Sequence, residues 1–485
     1  MMTFLQDLQA AFTYSFEKPW FFTNYSFLLV FSLFLLGYAL FNKNSRWKLA
    51  YLILFSLFFY YKSSGPFLLL FVGIIICDYF LSKALHRSKG WKRSLLLLFS
   101  IAYSLSFLLY FKYTNFFIQN LNVYFSTGFE ARDIFLPIGI SFYTFQSLSY
   151  LIDVARKEIE PSKNLLDYSF YMTFFPHLVA GPIVRAKDFL PQINQPLSLD
   201  NSVLKEAIFK ITVGLTKKLL IADFLAKYVD LVHAAPEGFS GFEHFVAMYS
   251  YSFQIYFDFS GYSDIAIGIA LLLGYRLKEN FQNPYIAQNI TSFWRRWHIS
   301  LSLWLRDYIY IPLGGNRKGT FNTYLFLLIT MLVGGFWHGA EWKFVFWGFA
   351  HGLLLILHKI TAKKFQWDNW LLRFFGVLFT FQIVSLLWVF FRASSINHAF
   401  DSIQKMVAAN NFLEFSSFLQ ARYEVFILLF LSSIIVFTPE GFKQKAIQRI
   451  LSLPLILWPI LLIIVLQLIL QIRDESIQPF IYFQF

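Results

Sequence analysis

Apolar runs recur along nearly the whole chain, at residues 24–41, 49–61, 66–81, 94–111, 134–152, 207–232, 242–273, 324–336, 343–357, 374–391, 424–437 and 451–471. A helix needs roughly 20 mostly apolar residues to cross the hydrocarbon core, and the series predicts an all-α polytopic membrane protein of about 11–12 transmembrane helices. Several runs are short for a straight span and are expected to be tilted or broken. Residues 168–183 and 299–312 contain prolines or charges and read as re-entrant or interfacial elements. Such backbone survives at membrane depth only where protein or a wet cavity satisfies it.

Charged residues make up 14 % of the chain, against about 25 % in soluble domains. That excludes a soluble enzyme, a disordered chain and a nucleic-acid-binding module. The net charge of +13 comes from basic residues between the apolar runs, where the positive-inside rule puts them. Lys43, Arg46 and Lys48 follow the first run. Lys83, Arg87, Lys89, Lys92 and Arg93 follow the third, and Arg156, Lys157 and Lys163 the fifth. The intervening loops are poor in charge, so the odd-numbered loops are expected in the cytoplasm. Lys443, Lys445 and Arg449 precede the last run, which sends the C-terminus to the extracytoplasmic side. Asp7, Glu17, Lys18 and Pro19 argue against a cleavable signal peptide. The single cysteine, Cys77, offers no intramolecular disulfide, and the sequence has no metal-ligand spacing.

Residues 258–340 differ from the rest. FDFSGYSD at 257–264 puts Asp258 and Asp264 inside an apolar run, where a carboxylate is costly unless paired or wetted. Helix-to-helix hydrogen bonding is the plainer reading of the two. Next, ENFQNPYIAQNITSFWRRWHISLSLWLRDYIYIPLGG at 279–315 sets Arg295, Arg296 and Arg306 around His298. This reads either as an amphipathic helix at the cytoplasmic interface or as a cationic mouth for a phosphate-bearing donor. In GGFWHGAE at 334–341, His338 lies among Gly334, Gly335 and Gly339. It is either a structural histidine or a general base for a hydroxyl, with the glycines admitting a ligand close to the backbone. The ending FIYFQF at 480–485 is by itself a short aromatic interfacial tail.

WRRWHISLSLWLRDYIYIPLGGN, followed by GGFWHGA forty residues beyond His298, resembles the membrane-bound O-acyltransferase (MBOAT) family, in its alginate O-acetylation (AlgI-type) branch. GISFYTFQSLSYLIDV at 139–154, FFPHLVAGPIVR at 174–185 and DFSGYSDIAIGIALLLGY at 258–275 are similar to the same branch. The resemblance implies one integral-membrane domain over residues 1–485, with a catalytic core at 134–358 and helices around a central funnel and tunnel. His338 falls on the family's near-invariant histidine and His298 on its second motif histidine. The donor would be acetyl-CoA from the cytoplasm, received by Arg295, Arg296 and Arg306, with no bound cofactor and no metal. The tail resembles an FxYxxF ending, which implies that Tyr482 relays the acyl group covalently where it exits. A phenol, with its ordinary pKa of about 10, needs a nearby base for that role.

The expected function is therefore O-acetylation of an extracytoplasmic polysaccharide from a multi-pass protein of the cell inner (plasma) membrane. Membrane lipids surround it, and an SGNH-type acetyltransferase is the implied protein partner. Direct acylation of a lipid or protein is the nearest rival. A non-enzymatic transporter is the rival from another class. It would need charges along several spans and would be expected to show an internal repeat.

Overall fold

The computed structural model describes residues 12–15, 19–41, 45–179, 181–195, 198–362, 369–408, 415–472 and 480–481. Among these the chain is helical, with no strand. Six helices are long and apolar enough to span a membrane: Phe67–Arg87, Gly90–Phe125, Gly241–Leu272, Thr320–His338, Trp342–Thr361 and Trp370–Arg392. A seventh candidate is the pair Phe415–Ala421 and Tyr423–Phe437, bent by 99°. Shorter apolar helices cover Ser26–Ala39 and Leu457–Ile469.

The chain divides into two compact units. The first, Met1–Val203 with Ile269–Lys278, is packed on aromatic rings. Phe175 lies with its ring centroid 5.1 Å from Phe55 and 5.5 Å from Phe59. The run expected at 168–183 breaks into Leu165–Thr173 and Phe175–Leu178, with Pro176 in the first turn of the second piece, where a missing N–H costs nothing. Cys77 is exposed on the Phe67–Arg87 helix rather than packed inside.

The second unit, Leu204–Gly268 with Glu279–Phe485, is organised around the Gly241–Leu272 helix. At 32 residues it is about 48 Å long, and 94 % of its apolar window is buried. Against it lies the run expected at 207–232, which forms Asn201–Leu215, a π-helical turn at Thr216–Ala222, and Asp223–Ala234. The two helices touch backbone to backbone. A Cβ on Gly214 would come within 2.6 Å of the Gly261 carbonyl oxygen, and one on Gly268 within 2.7 Å of the Ala207 carbonyl oxygen. Glycine's missing side chain is what admits this approach.

The last apolar run differs from expectation. The chain forms Glu440–Leu451, turns, and resumes a helix only at Leu457–Ile472, because Pro454 cannot continue the first helix. The final helix has 16 residues, about 24 Å of rise, which is short of a full crossing.

Candidate active site

Asn280 builds the turn that presents His298. Both residues are fully buried. The Asn280 Oδ1 accepts hydrogen bonds from the Ser300 N–H at 3.1 Å, the Ser300 hydroxyl at 2.9 Å and His298 Nδ1 at 3.3 Å. The Asn280 carbonyl takes the Ile299 N–H at 2.9 Å. An amide oxygen only accepts, so Nδ1 carries the imidazole proton and Nε2 is the basic nitrogen. His298 itself has φ +43°, a left-handed conformation that a non-glycine residue holds only when its surroundings enforce it. Burial pushes its pKa below the ordinary histidine value and keeps the ring neutral.

His338 is the last residue of the Thr320–His338 helix. It is 4 % exposed, with the rings of Trp337, Trp347 and Phe391 at 5.1, 5.2 and 5.2 Å. The glycines around it have a different use from the one expected. A Cβ on Gly335 would lie 2.3 Å from the Phe344 carbonyl oxygen, and one on Gly348 2.4 Å from the Met331 carbonyl oxygen. They let the Thr320–His338 and Trp342–Thr361 helices touch. Gly339 is covered by the Phe344 ring. What they admit is protein, not ligand, and their service to His338 is to fix the helix end that carries it.

The two histidines converge on one indole. The Trp337 ring is 6.2 Å from His298 and 5.1 Å from His338, centroid to centroid. On the far side of His298 the Phe259 ring stands edge-on at 4.7 Å. Phe259 in turn touches Phe480 at 5.5 Å, and Phe480 stacks on Tyr262 at 4.6 Å. The tail therefore returns to the histidine site, with Phe480 wedged among aromatic rings. Tyr482, Phe483 and Phe485 lie outside the described residues.

The arginines divide. Arg295 is exposed. Arg296 donates to the Gln282 carbonyl at 3.1 Å and lies 3.8 Å from Glu440. Arg306 is held by its neighbour Asp307 at 2.6 Å.

Asp258 and Asp264 hold helices together, but through ion pairs. Asp264 pairs with Lys210 at 2.9 Å and Lys217 at 2.5 Å. Lys210 also reaches Glu279 at 2.7 Å. Asp258 pairs with Lys218, which also meets Asp223 at 2.7 Å. The sequence reading of Asp258 and Asp264 named no cationic partner and passed over these lysines. Each is matched by a carboxylate of the same unit. Lys210 and Lys217, seven residues apart, fall on one helical face, a signal that hydropathy averaging hides.

His351 was also missed. It is fully buried and accepts at Nδ1 from the Trp294 indole at 3.3 Å, with Trp347 between it and His338 in edge-on contacts at 4.6 and 5.2 Å. Among the described residues no group of three or more histidine, cysteine or acidic side chains could hold a metal ion.

These features can be set beside known proteins. The family model described as MBOAT, membrane-bound O-acyltransferase family, matches residues 154–397, which include both histidines and the lysine–aspartate pairs. A protein of Pseudomonas putida named "Probable alginate O-acetylase AlgI" is 42 % identical over 392 residues, covering 78 % of each chain. A peptidoglycan O-acetyltransferase of Helicobacter pylori is 38 % identical over 411 residues, covering 77 % of each. A teichoic acid D-alanyltransferase of Bacillus subtilis is 29 % identical over 280 residues, 54 % of this chain and 70 % of that one. A helical membrane chain matched by this family model and about 40 % identical to O-acetyltransferases over most of its length is an O-acyltransferase, and the chain belongs to the membrane-bound O-acyltransferase family.

Proposed function

We propose that the protein takes acetyl from acetyl-CoA on the cytoplasmic side of the cell inner membrane and delivers it across the membrane to a hydroxyl of an extracytoplasmic polysaccharide. The observation that carries this reading is the pair His298 and His338 meeting on Trp337, with the C-terminal tail reaching the same place through Phe480 and Phe259. The names of the Pseudomonas and Helicobacter relatives support acetyl as the group and a cell-envelope glycan as the acceptor.

In the first step the Tyr482 hydroxyl attacks the thioester carbonyl. His338 takes the phenol proton, the C–S bond breaks, and the proton passes to the departing thiolate. The product is an acyl-tyrosine ester. In the second step an acceptor hydroxyl attacks that ester. His298, basic at Nε2 because Nδ1–H is bonded to Asn280, takes the acceptor's proton and returns it to the phenolate. Arg295 receives the donor's phosphates by charge-assisted contacts, aided by Arg296 and Arg306. The acceptor hydroxyl belongs to an SGNH-type acetyltransferase outside the membrane, which then passes the acetyl group to the polysaccharide.

The test is Tyr482→Phe beside His338→Ala. Both are expected to abolish acetylation of the exported polymer at wild-type protein level. General-base catalysis is worth about 10²–10⁴-fold, so the loss at His338 should exceed a hundredfold. Normal acetylation in Tyr482→Phe refutes the relay, and normal acetylation in His338→Ala refutes the assignment of the base.

A further inference from the structure

Asp258 and Asp264 lie on the same helix, six residues apart, and use their oxygens differently. Asp264 gives Oδ1 to Lys210 and Oδ2 to Lys217, so both serve to join helices. Asp258 gives Oδ1 to Lys218, while its Oδ2 accepts the backbone N–H of Ile481 at 2.9 Å, across 223 residues of sequence. Helix pairing alone needs only the first bond.

The rest of the seat is built around that second bond. Asp258, Phe259 and Tyr262 lie at i, i+1 and i+4 of the Gly241–Leu272 helix and are all nearly or fully buried. Phe480 stacks on Tyr262 and leans on Phe259. Phe480 and Ile481 are each 2 % exposed. Lys218, which fixes the carboxylate, sits in the π-helical turn Thr216–Ala222, an irregularity that recurs at functional sites. A buried backbone N–H must find an acceptor, and a carboxylate is a strong one.

We propose that Asp258, held by Lys218, is a latch that docks the C-terminal segment at the two-histidine site through the Ile481 N–H and the Phe480 ring. Asp258 is then a positioning residue. The backbone bond fixes the depth of the tail whatever its side chains, and the ring slot between Phe259 and Tyr262 fixes its register. Tyr482 is the next residue in the sequence. Because Phe259 also stands against His298, tail docking and the orientation of that imidazole share one ring. Only the effect of the latch on transfer rests on the acyl relay proposed above; the docking does not.

The test reads docking directly, on the full chain purified in detergent micelles. With Cys77→Ser as background, Ile481→Cys places the single thiol in the seat, and its rate of alkylation by N-ethylmaleimide is measured. The thiol should react slowly in that parent. In the double variant Asp258→Leu with Lys218→Met, which removes both charges of the buried pair together and takes Lys218 from the part-exposed Asp223, alkylation should rise about ten- to a hundredfold, the worth of one hydrogen bond to a charged group. A second variant leaves the ion pair intact. Ile481→Pro removes the N–H donor and, with the reporter moved to the buried position in Phe480→Cys, should raise alkylation by a similar factor over Phe480→Cys alone, whereas Ile481→Val should not. Rates within twofold of the parent in the double and proline variants, or a parent thiol already as reactive as a free one, overturn the latch. If alkylation rises as expected while Tyr482→Phe still transfers acetyl normally, the latch stands and the relay falls.

Discussion

Asn280→Ala removes a side chain that touches no reacting atom in the proposed mechanism, yet it should lower turnover steeply. Its Oδ1 takes three hydrogen bonds, from His298 Nδ1 and from the N–H and hydroxyl of Ser300. At about 1 kcal/mol net each, the three are worth about 3 kcal/mol. They hold a left-handed backbone at His298 that costs of order 1–3 kcal/mol by itself. Without the amide that conformation loses its support, and the ring is free to take the other tautomer, which puts the proton on Nε2. Turnover should fall about 100-fold, as two lost tenfold factors of about 1.4 kcal/mol each, with KM for acetyl-CoA within about twofold because none of the Asn280 side-chain hydrogen bonds goes to the arginines. Asn280→Asp supplies the contrast. It keeps an acceptor for all three donors, and its charge raises the basicity of His298. Wild-type His298 is held neutral by burial. A raised pKa means the ring becomes neutral only at higher pH, so the acid limb of the turnover profile should move upward in Asn280→Asp. The assay is multiple-turnover release of coenzyme A thiol by purified protein in nanodiscs supplied with a hydroxyl acceptor, across pH 5–9, so that the acceptor step run by His298 limits the rate, with melting temperature measured in parallel. Equal losses in Ala and Asp, an unmoved acid limb, or a change confined to KM would refute the positioning argument.

Lys218→Ala should reduce folded protein severely, because Asp258 is left buried and unpaired, a loss of about 3–5 kcal/mol visible as a lower melting temperature in detergent; Lys218→Met with Asp258→Leu should restore the melt. Arg295→Ala should raise KM for acetyl-CoA more than Arg306→Ala does, since Arg295 is exposed and Arg306 is held by Asp307; equal effects would return the cluster to a topological role.

The sequence exposed the helices because membrane spans leave long apolar runs, and it singled out His298 and His338 by the motifs around them, while His351, set in the plain apolar run 343–357, went unremarked. It was silent wherever the meaning of a residue depends on a partner distant in sequence. Lys210, Lys217 and Lys218 look like defects in an apolar run until Asp258 and Asp264 stand beside them. Asn280 is one polar residue among several in ENFQNP, and only the folded turn shows its oxygen taking three donors. Gly335 was read as room for a ligand because glycine admits any close neighbour, and sequence alone does not say whether that neighbour is a substrate or the Phe344 carbonyl. The last apolar run was read as continuous since Pro454 barely lowers its hydropathy, although it ends a helix. The wedge at Phe480 was legible from its aromatic neighbours in the tail; its seat on Phe259 and Tyr262 was not.

The central claim is that His338 drives acyl transfer from the thioester. Purified wild-type protein in proteoliposomes, given acetyl-CoA, should release free coenzyme A thiol and carry an acetyl group on the C-terminal peptide containing Tyr482. His338→Ala should do neither, while keeping its melting temperature. Unchanged thiol release from His338→Ala would contradict the account.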